Sequence, residues 1–178
     1  MNIKNILLVT ALGACVTAMP IAGADEDHGG KSGLAPVKDE LYRAECGACH
    51  FAFPPGLLPA RSWEKLMDNL HDHFGENAEL TPEDSDHVLN YLRTEAADRS
   101  DYARSRRAAS MIPAGETPLR ITETRYFRRL HDEVPRRVFN DNPNLKTISQ
   151  CKACHTRADQ NSYSENEIEI PGHGRWED

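Results

Sequence analysis

Two five-residue stretches could do chemistry: Cys46-Gly47-Ala48-Cys49-His50 and Cys151-Lys152-Ala153-Cys154-His155. Both read C-x-x-C-H, the attachment pattern of a c-type haem. Two thiols on one helical turn can add across the two vinyl groups of a porphyrin. The histidine that follows then lies under the iron and binds it axially. A zinc ribbon also uses two C-x-x-C pairs, but it needs no histidine after each. A thioredoxin-like redox pair is normally single and sits on a βαβ pattern that is absent here. Disulfides would require histidine at neither place. The repeated motif therefore predicts two covalent haems, held by Cys46, Cys49, Cys151 and Cys154. His50 and His155 would each fill one axial position.

The other cysteine, Cys15, lies in a leader. Residues 1–24 combine Lys4, an apolar run from Ile6 to Val16 and an Ala22-Gly23-Ala24 cleavage site, which reads as a signal peptide. Leu12-Gly13-Ala14-Cys15 also resembles a bacterial lipoprotein box, which would leave Cys15 acylated. The A-x-A site and the acidic Asp25-Glu26-Asp27 start behind it favour a soluble exported protein. No other stretch is apolar enough to span a bilayer. Export makes nucleic acid an unexpected partner.

The motifs lie 105 positions apart, so each haem is expected to have its own small domain. The expected fold is mainly α. Residues 25–33 read as a flexible N-terminus and 34–98 as a first haem domain. Residues 99–116 are polar and Arg-rich with a Pro-Ala-Gly break, and read as a helix extension and linker. Residues 117–178 read as a second haem domain, irregular with few helices. Halves of this size could barely build protein-only cores, and a haem supplies an apolar plate to pack around.

In the first half, Asp39 to Cys49 reads as a helix carrying the first motif. The Pro-rich apolar stretch 51–59 is expected to lie against the haem near His50. Ser62 is expected to cap a helix with Trp63, Leu66, Met67, Leu70 and Phe74 on one face, stopped by Gly75. Thr81-Pro82-Glu83-Asp84 is a helix start. Motif helix, apolar loop, ligand region and closing helix is the layout of a small monohaem cytochrome c. In the second half, Thr122 to Glu133 reads as a helix, residues 135–148 as turns, and Glu165 to Pro171 as one short strand.

The remaining axial positions decide function, because a closed iron transfers electrons and an open one binds ligands. Met67 reads as core and Met111 as a bystander. His28, His87 and His173 read as exposed. His131, four residues after Phe127 and three before Val134, can share their apolar side and is the candidate ligand for the second iron. For the first iron, periodicity leaves His71 and His73 open, each about 80° from the apolar face of an ideal helix. His73 is nearer to Gly75, where the helix must open.

CGACHFAFPPGLLPARSW, LHDHFGENAEL, RITETRYFRRLHDEVPRRVF and CKACHTRADQ, with IEIP after it, resemble the bacterial dihaem cytochrome c family of periplasmic electron carriers. The resemblance covers most of residues 41–171. It implies two covalent haem c groups with two axial histidines each, a first domain like a class I cytochrome c, and a second domain of less common fold. It assigns the ligand before Phe-Gly to His73 and the one in R-x-L-H-x-E to His131. It also implies, as partners, a small oxygen-binding cytochrome c and a membrane b-type cytochrome.

Charge is unevenly spread. Residues 25–98 carry 16 acids against 6 Lys and Arg, whereas residues 99–178 carry 12 against 14. Such asymmetry orients encounters with charged redox partners. The expected function is electron transfer without substrate chemistry, through His50/His73 and His155/His131. A dihaem peroxidase or reductase, or a gas-binding protein, would need one open iron site.

Overall fold

The computed structural model describes residues 31–176. The leader, Cys15 and His28 lie outside them. The described chain is mainly helical, and its elements are short. In the first half they are α1 (Glu40–Gly47), α2 (Ala60–Met67) and α3 (Pro82–Thr94), and α4 (Ala103–Ser110) follows. Then come α5 (Arg125–Leu130), α6 (Arg136–Asn140) and α7 (Cys151–Cys154), and last a two-stranded antiparallel ribbon of β1 (Glu169–Ile170) and β2 (Gly174–Arg175).

Local chemistry sets the helix starts. The Asp39 carboxylate accepts from the Tyr42 N–H at 2.8 Å and caps α1. Thr81 caps α3 through the Asp84 N–H, with Pro82 in the first turn, as its sequence signature predicts. Helix α2 departs from expectation. Its cap position is Pro59, and the first-turn N–H of Ala60 is taken by the distant Asp98 carboxylate at 2.9 Å. Ser62 lies inside the helix, fully buried, so it cannot be the cap.

Helix α2 also ends at Met67 rather than at Gly75. Asn69 leaves the helical region at φ −123°, and Leu70–Asp72 forms a single 3-10 turn. Residues 73–76 then reverse direction: the His73 N–H donates to Glu76 O at 2.7 Å, with Phe74 and Gly75 at φ 59° and 98°. Two central residues at positive φ are the mark of a type I′ turn. Phe74 is therefore not on the buried face. It is 47% exposed, with the Arg120 guanidinium 3.9 Å above its ring.

The main core joins α1, α2 and α3 through Tyr42, Leu58, Trp63, Met67, Val88 and Leu92. Burying each of the larger aliphatic side chains stabilises by about 1.5–3 kcal/mol. Met67 is core, as its position predicts. The Trp63 indole N–H donates to Pro55 O at 2.8 Å, and the Tyr42 hydroxyl to Phe53 O at 2.7 Å, so the proline-rich loop is pinned to this core. His87 is exposed, as its position predicts, and its Nε2 lies 2.8 Å from the Asp39 carboxylate, tying α3 to the cap of α1.

Residues 99–116, read from the sequence as helix extension and linker, contain α4. This helix buries Ser105 and Ala108 against the 55–57 turn. Its charged side chains disguise a two-residue buried stripe. The chain is held from Lys31 onward, because Ala103 N–H donates to Lys31 O and Arg104 N–H to Gly33 O. In the second half Thr124 caps α5, which begins at Arg125 and ends at Leu130. The expected longer helix from Thr122 to Glu133 fails at both ends: Ile121–Glu123 is a 3-10 turn, and His131 closes the helix at φ −126°. Residues 135–148 are not all turns, since α6 follows its cap residue Pro135 and buries Val138. The expected lone strand is a hairpin arm, paired Glu169 with Arg175 and Ile170 with Gly174.

Candidate functional site

Each C-x-x-C-H motif lies at a helix end. The first leaves the C-terminus of α1, and the second makes up α7 and the residue after it. Three residues apart, the two thiols of each pair can face one side of a helical turn, as double thioether attachment requires. None of the four cysteines is paired in a disulfide, which leaves each of them for attachment to a porphyrin.

The structure brings the predicted histidines together in two pairs. The His50 and His73 rings have centroids 6.2 Å apart and planes 26° apart. The His131 and His155 centroids are 6.1 Å apart, with planes at 79°. Two imidazoles on opposite sides of one iron, each nitrogen about 2 Å from the metal, have centroids roughly 6 Å apart. Both pairs fit that spacing. Among the described residues, no three His, Cys, Asp or Glu side chains gather as a metal cage. A porphyrin needs no such cage, because it supplies four nitrogens of its own.

Backbone contacts orient the rings. His50 Nδ1 donates to Phe51 O at 2.8 Å, and His131 Nδ1 donates to Phe127 O at 2.9 Å. That bond selects the tautomer in which Nε2 is the free donor atom for a metal. Phe53 of the apolar loop stacks on His50 at 5.0 Å. Phe127 stacks on His131 at 3.9 Å. Burial lowers the proton affinity of His73, with the His50 and Arg120 charges adding to it. Burial likewise lowers His131 and, with His131 and Arg104 nearby, pushes His155 down to about 4. These three imidazoles are neutral at neutral pH, the form that binds metal.

His71, two residues before His73, is exposed on the 3-10 turn, and His173 is exposed in the ribbon turn. The 73–76 turn makes the difference between His71 and His73, and an ideal-helix wheel could not contain it. Sequence reasoning missed Tyr163, whose ring contacts His155 at 5.5 Å. It also lines a cleft of about 650 Å³ with Cys49 and His50. Its signal was only an aromatic eight residues after a motif histidine.

The family model for dihaem cytochrome c matches residues 42–163. The chain belongs to the dihaem cytochrome c family. As a dihaem cytochrome c it carries two covalently bound haem c groups. It is similar to the diheme cytochrome c of Shewanella baltica OS155, with 40% identity and a TM-score of 0.65, over 78% of this chain and 97% of that one. It is similar too to the diheme cytochrome c of Rhodobacter sphaeroides, with 44% identity and a TM-score of 0.64, over 70% of this chain and 96% of that one. Among curated proteins none matches. Among the described residues of this dihaem cytochrome c, no helix is long and apolar enough to cross a membrane.

Proposed function

We propose that this dihaem cytochrome c is an exported, periplasmic electron carrier with two closed, bis-histidine irons and no substrate chemistry of its own. The observation that carries this reading is the pairing of four imidazoles at 6.2 and 6.1 Å. Each haem, when bound, supplies a one-electron Fe(III)/Fe(II) couple. Cys46 and Cys49 would hold the first, and Cys151 and Cys154 the second. His50 and His73 would close the first site, and His155 and His131 the second. Two imidazoles favour a lower potential than a histidine–methionine pair. The backbone carbonyls of Phe51 and Phe127 hold His50 and His131 in place, so little need move when charge changes.

The test is low-temperature EPR with visible spectra of the oxidised and reduced protein, with and without carbon monoxide. Only low-spin signals and no rapid carbon monoxide binding are expected. A high-spin ferric signal or fast binding at either haem would overturn the reading in favour of an enzyme or a gas-binding protein.

Partners follow from the surface. After His73 in the chain, the exposed Glu76, Glu79, Glu83 and Asp86 favour a basic redox protein. Beside His131, the exposed Arg128, Arg129, Arg136 and Arg137 outnumber Asp132 and Glu133 and favour an acidic one. On the family resemblance these would be a small oxygen-binding cytochrome c and a membrane b-type cytochrome. Electron exchange with a basic redox protein should slow as ionic strength rises. A rate independent of salt would remove the acidic face as a docking site.

A further inference from the structure

Four side-chain polar atoms are buried without a hydrogen-bond partner among the described residues: Ser62 Oγ, Ser105 Oγ, His155 Nδ1 and Tyr163 Oη. The last two belong to rings that touch, with centroids 5.5 Å apart and planes at 61°. His50 and His131 satisfy Nδ1 with the carbonyls of Phe51 and Phe127. His155 has no such carbonyl. A metal-bound imidazole almost always donates its second N–H to an oxygen, and that bond fixes ring orientation and ligand basicity. A buried N–H and a buried hydroxyl left unmade side by side are each costly.

We propose that the Tyr163 hydroxyl is the acceptor for the His155 Nδ1–H through one buried water. Tyr163 is thus a positioning residue for the proximal ligand of the second iron. The inference rests on the reading of His155 as that ligand. The loop carrying Tyr163 is tied down for the task. Tyr163 O accepts from Arg104 Nη1 at 3.5 Å, and Asn161 Nδ2 donates to Leu34 O at 2.7 Å. A tyrosine hydroxyl can accept from that water and still donate its own proton.

The sign of the effect follows. An acceptor on Nδ1–H makes the imidazole a stronger electron donor, favours Fe(III) and lowers the potential. Tyr163→Phe keeps the ring and removes only the oxygen. In the holoprotein the second haem should become easier to reduce, by up to about tenfold in its reduction equilibrium, which is about 59 mV for one electron. The first haem should stay put, and both should remain low-spin. In reduced, histidine-labelled protein, the slowly exchanging His155 Nδ1–H resonance should be lost. An unmoved second haem with that resonance retained overturns the proposal. So does a shift of the first haem instead, which would mean that the hydroxyl serves the cleft beside Cys49 and His50.

Should the variant not fold, the unsubstituted protein decides. A protected Nδ1–H with a cross-relaxation contact to the Tyr163 ring is expected, and its absence is equally fatal. A high-spin second haem in the unsubstituted protein would instead remove the ligation reading, and this inference with it.

Discussion

Replacing His73 with alanine should turn one of the two haems high-spin and open it to carbon monoxide, while His71→Ala leaves both low-spin. The two residues are separated only by Asp72, yet their surroundings differ. His71 is exposed on the 3-10 turn. His73 faces His50 at 6.2 Å, held by the paired backbone bonds between His73 and Glu76. Phe74 sits at φ 59°, where a bulky side chain is uncommon and costs on the order of 1 kcal/mol. Such strain is retained where surrounding structure overrides it, and here it turns the imidazole inward. On the proposed ligation, losing His73 would remove an entire axial position, so the change would be from closed to open, not a graded shift. Visible and EPR spectra of the two variants settle it. A high-spin signal from His71→Ala alone would show that the wrong histidine had been chosen.

Gly56→Ala should cost about 1–3 kcal/mol, the usual range for overpacking a tight contact. A Cβ added there would meet Ser105 Oγ at 2.2 Å and Ser105 Cβ at 3.2 Å. Rotating the hydroxyl would relieve the first clash but not the second. Neither neighbour can retreat easily, because the 55–57 turn is pinned by the Trp63 indole and Ser105 is fully buried on α4. Ser105→Ala alone should be nearly neutral, since it deletes a buried hydroxyl that has no partner. Combined with Gly56→Ala it should recover part of the loss. Thermal melting of the holoprotein measures all three variants. An unchanged midpoint in Gly56→Ala would mean that α4 is not wedged against this turn.

The two haem c groups were legible because the chemistry of attachment dictates a spacing: thiols one turn apart, then an imidazole. The start of α3 was legible for a similar reason, since Thr81, Pro82 and the acids after them act locally. Helix α2 was misread at both ends because its determinants are not local. Asp98 caps it from 38 residues away in sequence. Its end is set by a reversal that orients His73, and the apolar pattern through Phe74 imitates further helix. Helix α4 was hidden because two small buried residues, Ser105 and Ala108, suffice to seat it among arginines. His131 could be proposed from spacing to Phe127, whose stacking at 3.9 Å is the contact that the spacing implied. Tyr163 could not, because its partner comes from loop geometry that leaves no periodic trace.

The brevity of the elements around the second motif has a consequence for how the protein is made. Helices α5, α6 and α7 have six, five and four residues. Isolated helices shorter than about 12–15 residues are marginal in water. Before the porphyrin arrives, Cys151 to His155 therefore has little to hold it in a turn. The thiols are then presented as open peptide to the machinery that joins haem to cysteine. Thioether formation would then add the covalent tie that the short helices lack. A chain denied its haem should therefore be cut by protease in its second half first, and equal cleavage in both halves would contradict this.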